Sequence, residues 1–375
     1  MLTCLSGAAS SLLILMAAAA EPGAAVPRKL IEFGWDEPDT GFLRRHIAQM
    51  QATPFDGCVF HVDHRGPDGK TGSFTWEGWG RRRFTRAEVR HAIDDLKATP
   101  FGRFRHNFLR FNTTPADLDW FDDFSAVLAN ARLAAEVARE GGCPGLLFDI
   151  EQYNAPLFDY GKQRDARGKS WEEYAQQARR RGREVMQAFQ DGYPDLVVFL
   201  TFGYSLPFAQ SDGGRKPLAG CGYGLLAPFM DGLVEAARGR TRIVDGCELA
   251  YGYREPADFA RAAEMMRREV LSIAAHPDKY LRHLSVSFGI WLDKDWRKVP
   301  WDAQDPSRNV HTPAQFEALV RQALTTADEY VWIYSETPRW WTDAGGPAKL
   351  PKAYDEALRR AKATTAAPAT TRPGR

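Results

Sequence analysis

Two acidic residues, Asp149 and Glu151, stand at the end of an apolar stretch that covers residues 145–150. Alternate residues of a strand share a face, so both acids would lie on the same side of this strand. A nearby negative charge raises the pKa of a carboxyl group, which keeps one acid protonated near neutral pH. Acetal cleavage needs such a proton donor and a second group that stabilises an oxocarbenium-like centre. The structural alternative is a solvated strand end or salt bridges to Arg110 or Lys294.

Two further acids are candidates for the second group. Glu336 ends the strand-like stretch 330–336. In a closed barrel the last strand pairs with the first, so Glu336 can face Glu151 across the mouth. Glu248, in the segment 245–251, is the other candidate. A rim carboxylate in a hydrogen-bond network is the structural alternative for Glu336. The predicted catalytic residues are Glu151, Asp149, Glu336 and Glu248.

Aromatic and polar side chains recur at the ends of the predicted strands. Trp and Tyr rings are flat and amphipathic, so they can stack on sugar rings, although packing under loops explains any single ring more simply. Imidazole, carboxylate and amide groups can hydrogen-bond to sugar hydroxyls. The predicted substrate-binding residues are His61, Asp63, Asn107, Tyr153, Tyr204, Tyr251, Trp291, Trp332, Tyr334 and Trp340.

A metal site is the second chemical possibility. His61, Asp63 and His64 lie close together in the sequence, and His106 could join them from the third strand. Such residues at strand ends bind metals in some barrel hydrolases. Their spacing matches no established motif, so no metal and no cofactor is predicted. Neither a GxSxG motif nor a P-loop occurs, which argues against a serine hydrolase and against phosphoryl transfer.

The elements that must position these residues alternate along the chain. Strands are predicted within residues 29–36, 57–63, 104–111, 145–150, 196–204, 241–251, 284–292 and 330–336. Helices are predicted at 42–51, 85–98, 117–140, 170–190, 223–238, 256–274, 312–326 and 351–362. Eight strand-helix repeats predict an α/β protein of one domain, a closed (β/α)8 barrel with parallel strands. A doubly wound open sheet is the alternative, but no GxGxxG follows the first strand.

Two predicted helix starts carry a capping-box signature. Thr85 is followed three residues later by Glu88, and Ser170 is followed by Glu173. In this motif each side chain hydrogen-bonds to the backbone of the other residue. The second and fifth helical segments are therefore predicted to begin at these residues.

Composition limits the class of protein. The chain has 375 residues, 44% of them hydrophobic and 26% charged, so it can bury a large core. Its formal net charge is only +1, which argues against nucleic acid as a partner. Aromatic residues make up 12% and include 11 Trp, a content that suits sugar binding but that core packing also explains.

The two ends of the chain differ from its middle. Residues 12–20 form an apolar run that ends in small residues and is too short to span a bilayer. Although no Lys or Arg precedes the run, residues 1–25 are predicted to be a signal peptide of a secreted or periplasmic protein. The barrel is predicted to cover residues 26–362, and the Thr-, Ala- and Pro-rich segment 363–375 is predicted to be disordered. The five cysteines are sparse, so one disulfide is possible but cannot be assigned.

Residues 148–151, with the sequence Phe-Asp-Ile-Glu, resemble the end of the DxxDxDxE signature of chitinase-type glycoside hydrolases, which are also (β/α)8 barrels. The resemblance implies that Glu151 is the general acid and that Asp149 positions a substrate acetamido group, which acts as the nucleophile. It also implies assisting roles for Tyr251 and Trp332.

The first two Asp residues of that signature are replaced here by Pro144 and Leu147. The resemblance therefore supports a barrel glycoside hydrolase more generally, and does not support a chitinase. If the chitinase-type mechanism does not apply, the general resemblance implies that Glu151 is the acid/base and that Glu336 or Glu248 is the second carboxylate. The chain as a whole also resembles secreted barrel proteins.

The sequence thus predicts a secreted glycoside hydrolase that acts on an oligo- or polysaccharide. A non-catalytic carbohydrate-binding barrel is one alternative. A metal-dependent barrel hydrolase or isomerase that uses His61, Asp63 and His106 is the other. The sequence leaves the sugar, the linkage, the stereochemical outcome and the oligomeric state open.

Overall fold

The computed structural model describes residues 28–366. Its strands, numbered in chain order, are β1 (Lys29–Glu32), β2 (Gly57–Phe60), β3 (Asp63–Arg65), β4 (Thr71–Ser73), β5 (Phe108–Asn112), β6 (Gly145–Asp149), β7 (Val197–Leu200), β8 (Arg242–Asp245), β9 (Leu284–Val286), β10 (Phe288–Trp291) and β11 (Tyr330–Tyr334). Strands β3 and β4 form a small antiparallel hairpin. All other pairings between strands are parallel.

The parallel sheet closes on itself through one interrupted strand. Its order is β10-β11-β1-β2-β5-β6-β7-β8-β9, so β9 and β10 lie at its two ends. These two segments are consecutive in the chain and are separated only by Ser287, whose amide donates to Asp245 O at 3.0 Å. Within the described residues the sheet is therefore an eight-stranded parallel barrel, as the alternation of elements predicts.

Helices surround the barrel. They are α1 (Thr40–Met50), α2 (Phe74–Glu77), α3 (Arg90–Ala98), α4 (Ser125–Glu140), α5 (Trp171–Gly192), α6 (Ser205–Gln210), α7 (Leu226–Ala236), α8 (Pro256–Arg267), α9 (Pro277–His283), α10 (Pro313–Thr326) and α11 (Lys352–Ala366). No described helix combines the length and the apolar character needed to cross a bilayer.

The core has two layers because each parallel strand buries both faces. The layer inside the barrel includes Val59, Phe108 and Leu147, whereas Leu146 and Phe148 pack outward against the helices. Alternation along β6 therefore places Asp149 in the inner row above Leu147. The shared face predicted from the sequence is the face that points into the barrel mouth.

One of the two predicted capping boxes starts a helix. Ser170 caps α5, and the reciprocal hydrogen bonds with Glu173 are both present. At the other position the Glu88 carboxylate accepts hydrogen bonds from the Thr85 amide at 2.8 Å and the Thr85 hydroxyl at 2.9 Å. These bonds close a separate turn, and the helix begins only at Arg90. The predicted start at Thr85 is therefore wrong.

Other predicted boundaries shift as well. The predicted helix 117–140 begins only at Ser125, because a loop precedes it. The predicted helix 256–274 ends at Arg267, and a short 3-10 helix and α9 follow. Helix α11 continues to Ala366, into the segment predicted as a disordered tail. The predicted signal peptide and the remainder of that tail lie outside the described residues.

The cysteines of the described part of the chain form no disulfide. All four are free and buried: Cys58, Cys143, Cys221 and Cys247. Burial raises the pKa of each thiol, so these cysteines behave as small apolar core residues.

Glu32, at the end of β1, makes the stability of the barrel depend on pH. Its side chain is fully buried. Burial, followed by the charge of Asp36, raises the pKa of Glu32 well above its ordinary value. A carboxyl with a raised folded-state pKa stabilises the fold fully below its unfolded pKa. That contribution is lost as the pH rises towards the folded pKa.

We expect the wild type to lose stability relative to Glu32→Gln as the pH rises from about 5 towards the raised pKa of Glu32, because glutamine has no proton to lose. The loss amounts to about 1.4 kcal/mol for each unit of raised pKa within that window. Urea unfolding at several pH values measures it. The control is Glu172→Gln on the exposed face of α5, which should follow the wild type. Parallel pH profiles for wild type and Glu32→Gln would contradict the prediction.

Candidate active site

Arg110 holds the buried charges of the barrel mouth together. It stands on β5, one strand away from Asp149, and donates to Asp149 Oδ2 from Nη2 at 2.6 Å and from Nε at 3.1 Å. Its Nη1 donates to Glu37 Oε2 at 2.7 Å. Asp149 is fully enclosed and Arg110 nearly so. Buried carboxylates are tolerated where they are paired in this way, since an unpaired charge would be costly.

Tyr153 links the two acids of the strand. Its hydroxyl lies 3.1 Å from Asp149 Oδ2 and 2.9 Å from Glu151 Oε1, and it accepts a hydrogen bond from Arg110 Nη2 at 3.1 Å. A tyrosine hydroxyl has one proton, so it can donate to only one of the two carboxylates. The two carboxyl groups therefore compete for that proton, and a further proton on one of the two acids reduces the repulsion between them.

The surroundings of Glu151 favour that proton. Burial is the largest influence, the charge of Asp149 is the next, and together they raise the pKa of Glu151 to about 7. The Tyr153 hydrogen bond and the Arg110 charge act in the opposite direction and are weaker. Glu151 is therefore partly protonated near neutral pH.

Glu248 belongs to the same electrostatic group. Burial, and then the charges of Glu151 and Asp149, raise its pKa well above the ordinary value. Its Oε2 is shielded from solvent and has no hydrogen-bond partner among residues 28–366. Cys247 before it adopts a left-handed backbone conformation (φ 43°), which is uncommon for a residue other than glycine. This turn follows β8 and opens the short helix Glu248–Gly252.

Glu336 is placed in a different group. Its amide donates to Asp293 Oδ1 at 3.0 Å. Partial burial, and then the Asp293 charge, raise its pKa, whereas Lys294 and Arg339 act in the opposite direction. The charges that raise the pKa of Glu151 and of Glu248 do not include Glu336. Of the two candidates for the second carboxylate, Glu248 is the one that interacts with Glu151.

Aromatic rings pack tightly at the mouth. Tyr251 lies 5.1 Å from the Trp291 ring, 5.3 Å from Trp332 and 5.7 Å from Tyr334, measured between centroids. Trp332 is enclosed in the barrel and donates from Nε1 to Gly246 O at 2.9 Å. It supports the other rings from within, so the predicted contact of Trp332 with substrate does not fit its enclosed position.

An open cleft of about 500 Å³ lies beside these groups. Four predicted substrate-binding residues line it: His61, Asp63, Tyr153 and Tyr334. The cleft is also lined by four residues that were not predicted as site residues: Trp35, Glu37, Trp76 and Arg339. Trp35 and Glu37 flank the predicted strand end at residue 36, so a wider search around strand ends would have found them. No pattern marks Trp76 or Arg339.

His61 adds a charged group to this cleft. Its Nδ1 lies 3.6 Å from Glu37 Oε1. Burial disfavours the protonated ring, but the contact with Glu37 outweighs burial and raises the pKa of His61. Glu37 therefore lies between the His61 ring and the Arg110 guanidinium.

Three predicted substrate-binding residues lie elsewhere. Asn107 precedes β5 and so sits at the opposite end of the barrel, where its Oδ1 accepts from Cys58 N at 3.0 Å. Tyr204 lies beyond the end of β7 and donates to Asp231 Oδ1 at 2.5 Å, under the helices. Trp340 packs 4.7 Å from the Phe55 ring and is buried. Asn107 and Tyr204 miss the mouth because β5 begins later, and β7 ends earlier, than the sequence pattern suggests. Trp340 misses it because the loop after β11 packs its ring into the core.

The histidines of the metal hypothesis are also separated. His106 lies at the amino-terminal end of β5, where its Nδ1 is 3.4 Å from the Tyr330 hydroxyl, whereas His61 lies at the mouth. Burial lowers the pKa of His106 to about 4. Among the described residues there is no group of three or more His, Cys, Asp and Glu side chains arranged to hold a metal ion.

Compared by sequence, the chain matches no family model and no curated protein. Compared by structure, it is similar to a GH5_18 protein from Streptomyces cattleya solved with GlcNAc. The identity is 13% and the TM-score 0.48, over 93% of this chain and 82% of that one. A family 5 xyloglucanase from Paenibacillus pabuli shows 11% identity and a TM-score of 0.48, over 91% and 99%.

A tri-modular endo-β-1,4-glucanase B from Bacillus halodurans shows 11% identity and a TM-score of 0.49. The match covers 90% of this chain and 60% of that one. By its own strand order the present chain is a (β/α)8 barrel, and its likeness to these proteins concerns the fold alone.

We expect Arg110→Gln to lower the free energy of unfolding at neutral pH by about 3–5 kcal/mol, because it leaves Asp149 and Glu37 buried without their cation. Urea unfolding measures the loss. The matched control is Arg44→Gln, which breaks an exposed pair with Asp95 and should cost at most about 1 kcal/mol. Equal costs for the two variants would show that Arg110 does not have this role.

Proposed function

We propose that this protein is a glycoside hydrolase in which Glu151 and Glu248 are the reacting carboxyl groups. One arrangement carries the proposal: two largely buried acids at the barrel mouth, in which the charge of Glu151 raises the pKa of Glu248. Mutual repulsion lets one carboxyl keep its proton at a pH where the other is ionised. Glycoside hydrolysis uses such a pair, one group as the acid and the other as nucleophile or base.

The contacts of each residue suggest its role. Glu151, with a pKa of about 7, protonates the leaving oxygen. Glu248 has an oxygen without a partner among the described residues. A proton on Glu151 removes one of the charges that disfavour ionised Glu248, which then acts as the nucleophile or as the base for a water molecule. Asp149 accepts from Arg110 and Tyr153 through Oδ2 and from the Glu151 amide through Oδ1. Its role is therefore to hold the proton on Glu151.

These contacts favour the two-carboxylate mechanism over the chitinase-type one. In the latter, Asp149 would have to hydrogen-bond to a substrate acetamido group. Both of its oxygens are already used by the protein, and the side chain is fully enclosed.

The open cleft favours an oligo- or polysaccharide as the substrate. Exposed aromatic rings, Trp35, Trp76 and Tyr153, line it beside the acids. Such rings offer flat apolar faces, and their polar edges remain free for hydroxyl groups. The same surface also suits a barrel that binds sugars without cleaving them, which is the second candidate function.

Export from the cytoplasm is part of the proposal. It rests on the apolar run at residues 12–20 and on the small residues that follow it, the pattern of a secretory signal. A polysaccharide substrate outside the cell would agree with this location.

We expect Glu151→Gln and Glu248→Gln each to lower kcat/KM by about 10²–10⁴-fold, because each removes a group that takes part in proton transfer or attack. Reducing-end release from a broad polysaccharide panel measures the effect. Glu336→Gln is the matched control, the same chemical change on another strand end, and should leave kcat/KM within about threefold of wild type. Wild-type turnover by Glu151→Gln would exclude the mechanism, and sugar binding without release by any variant would favour the second candidate.

The pH profile tests the role of Glu151 separately. The acid must be protonated, so kcat/KM is expected to fall as the pH rises past about 7. Tyr153→Phe removes the hydrogen bond that lowers the pKa of Glu151, so this alkaline limb should move to higher pH. In the control Tyr334→Phe the limb should stay in place, since that hydroxyl accepts from Trp35. A limb that Tyr153→Phe moves to lower pH would contradict the assignment.

A further inference from the structure

Arg339 is a cation at the mouth that forms no salt bridge with a described residue, although its charge acts on Glu32 and Glu336 at longer range. It lines both the cleft beside the acids and a neighbouring cleft of about 380 Å³. Its Nη1 is shielded from solvent and has no hydrogen-bond acceptor among residues 28–366. An enclosed donor without an acceptor costs about 1–3 kcal/mol, so its persistence calls for an acceptor from outside the described chain.

The loop after β11 holds Arg339 in a fixed position. The Arg339 amide donates to Ala348 O at 2.8 Å, and the Ala348 amide donates to Arg339 O at 3.0 Å. The next residue, Trp340, donates from its amide to Asp36 Oδ2 at 2.6 Å. The backbone that carries the guanidinium is thus held in place, which lowers the entropy lost when Arg339 binds a ligand.

Trp35 provides a flat surface next to this cation. Its ring centroid lies 5.6 Å from the guanidinium carbon of Arg339, and 64% of the residue is exposed. The indole is held by its Nε1, which donates to the Tyr334 hydroxyl at 3.1 Å. A sugar ring stacked on this indole would carry its substituents towards Arg339.

Three of the acids that line the two clefts are committed to other contacts. Asp36 accepts from the Trp340 amide, Glu37 from Arg110, and Asp39 Oδ1 accepts from Phe42 N at 2.6 Å as the cap of α1. Arg45, a second cation that lines the neighbouring cleft, forms no salt bridge with a described residue. The positive charges of this part of the cleft are therefore available to a ligand, whereas three of its negative charges are not.

We propose that Trp35 and Arg339 form a subsite for an acidic sugar residue, with the sugar ring on Trp35 and its carboxylate or sulfate group against Arg339. The proposal rests on the proposed function, since it names the class of glycan that this mouth accepts. A guanidinium binds a carboxylate or a sulfate through two parallel hydrogen bonds, which a neutral hydroxymethyl group cannot reproduce. The adjacent indole favours a sugar over a free inorganic anion.

The test measures binding and does not depend on hydrolysis. The probes are glucuronate, galacturonate, glucose 6-sulfate, glucuronamide and glucose, added to the full-length wild type and followed by tryptophan fluorescence and calorimetry. At least one acidic sugar should bind at least about tenfold more tightly than the neutral sugars. Added salt should weaken the binding of the acidic sugars only. A carboxylate that binds better than the sulfate, or the reverse, identifies the natural anion.

Variants connect this preference to the two residues. Arg339→Gln should abolish the preference for acidic sugars. Trp35→Ala should weaken the binding of charged and neutral sugars alike. The control for the ring is Trp296→Ala, since Trp296 is 61% exposed and lines neither cleft. The control for the charge is Arg261→Gln on α8. If Arg339→Gln fails to fold, Arg339→Lys decides, because it keeps the charge but loses the paired contact and should reduce the preference.

The outcomes separate the subsite from the proposed function. Acidic and neutral sugars that bind equally well, or a preference that survives in Arg339→Gln, would overturn the subsite. If the protein released reducing ends from neutral glycans alone and showed no preference for acidic sugars, the proposed hydrolase would be supported and the subsite would be excluded. An acid preference that depends on Arg339, in a protein that hydrolyses nothing, would support the subsite and remove the hydrolase. Glu151→Gln should retain the preference, because Glu151 does not contact the subsite.

Discussion

The ion pair between Arg110 and Asp149 is the interaction on which the chemistry of this barrel mouth depends. Asp149 is fully enclosed, and without a cation its charge would be too costly to keep there. With the charge kept, Asp149 raises the pKa of Glu151 and also that of Glu248. One arginine thus allows a fixed negative charge. That charge raises the pKa of two neighbouring acids, so that one of them can keep its proton at a pH where an exposed glutamate would be ionised.

The register of the barrel makes this pairing possible. Strands β5 and β6 run parallel, with Arg110 opposite Leu147 and Asn112 opposite Asp149. Arg110 and Asp149 both belong to the inner rows of their strands, and Asp149 is one inner position nearer the mouth. The long arginine side chain spans that step, and its other nitrogen reaches Glu37 after β1. A short cation on β5 could not satisfy both acids at once.

The sequence was sufficient for the barrel and for the Asp149–Glu151 pair, because both depend on local periodicity. It was insufficient where a residue lies near, but not on, a strand end. Asn107 falls below the start of β5 and Tyr204 falls beyond the end of β7, and an error of a few residues moves a side chain from the mouth to another layer. The choice between Glu248 and Glu336 depended on the left-handed turn at Cys247, which no sequence rule predicts for a cysteine.

Two arginines at the mouth, Arg110 and Arg339, differ in how their charges are used. The charge of Arg110 is neutralised within the protein, so it organises the site but adds little attraction for an anion. The charge of Arg339 forms no salt bridge within residues 28–366, and the loop that carries it is anchored through Asp36 rather than through the guanidinium itself. A folded protein seldom keeps an enclosed donor unpaired without reason. The charges of Arg110 and Asp149, which act on the pKa values of Glu151 and Glu248, are therefore neutralised within the protein, whereas the charge of Arg339 is available to a ligand.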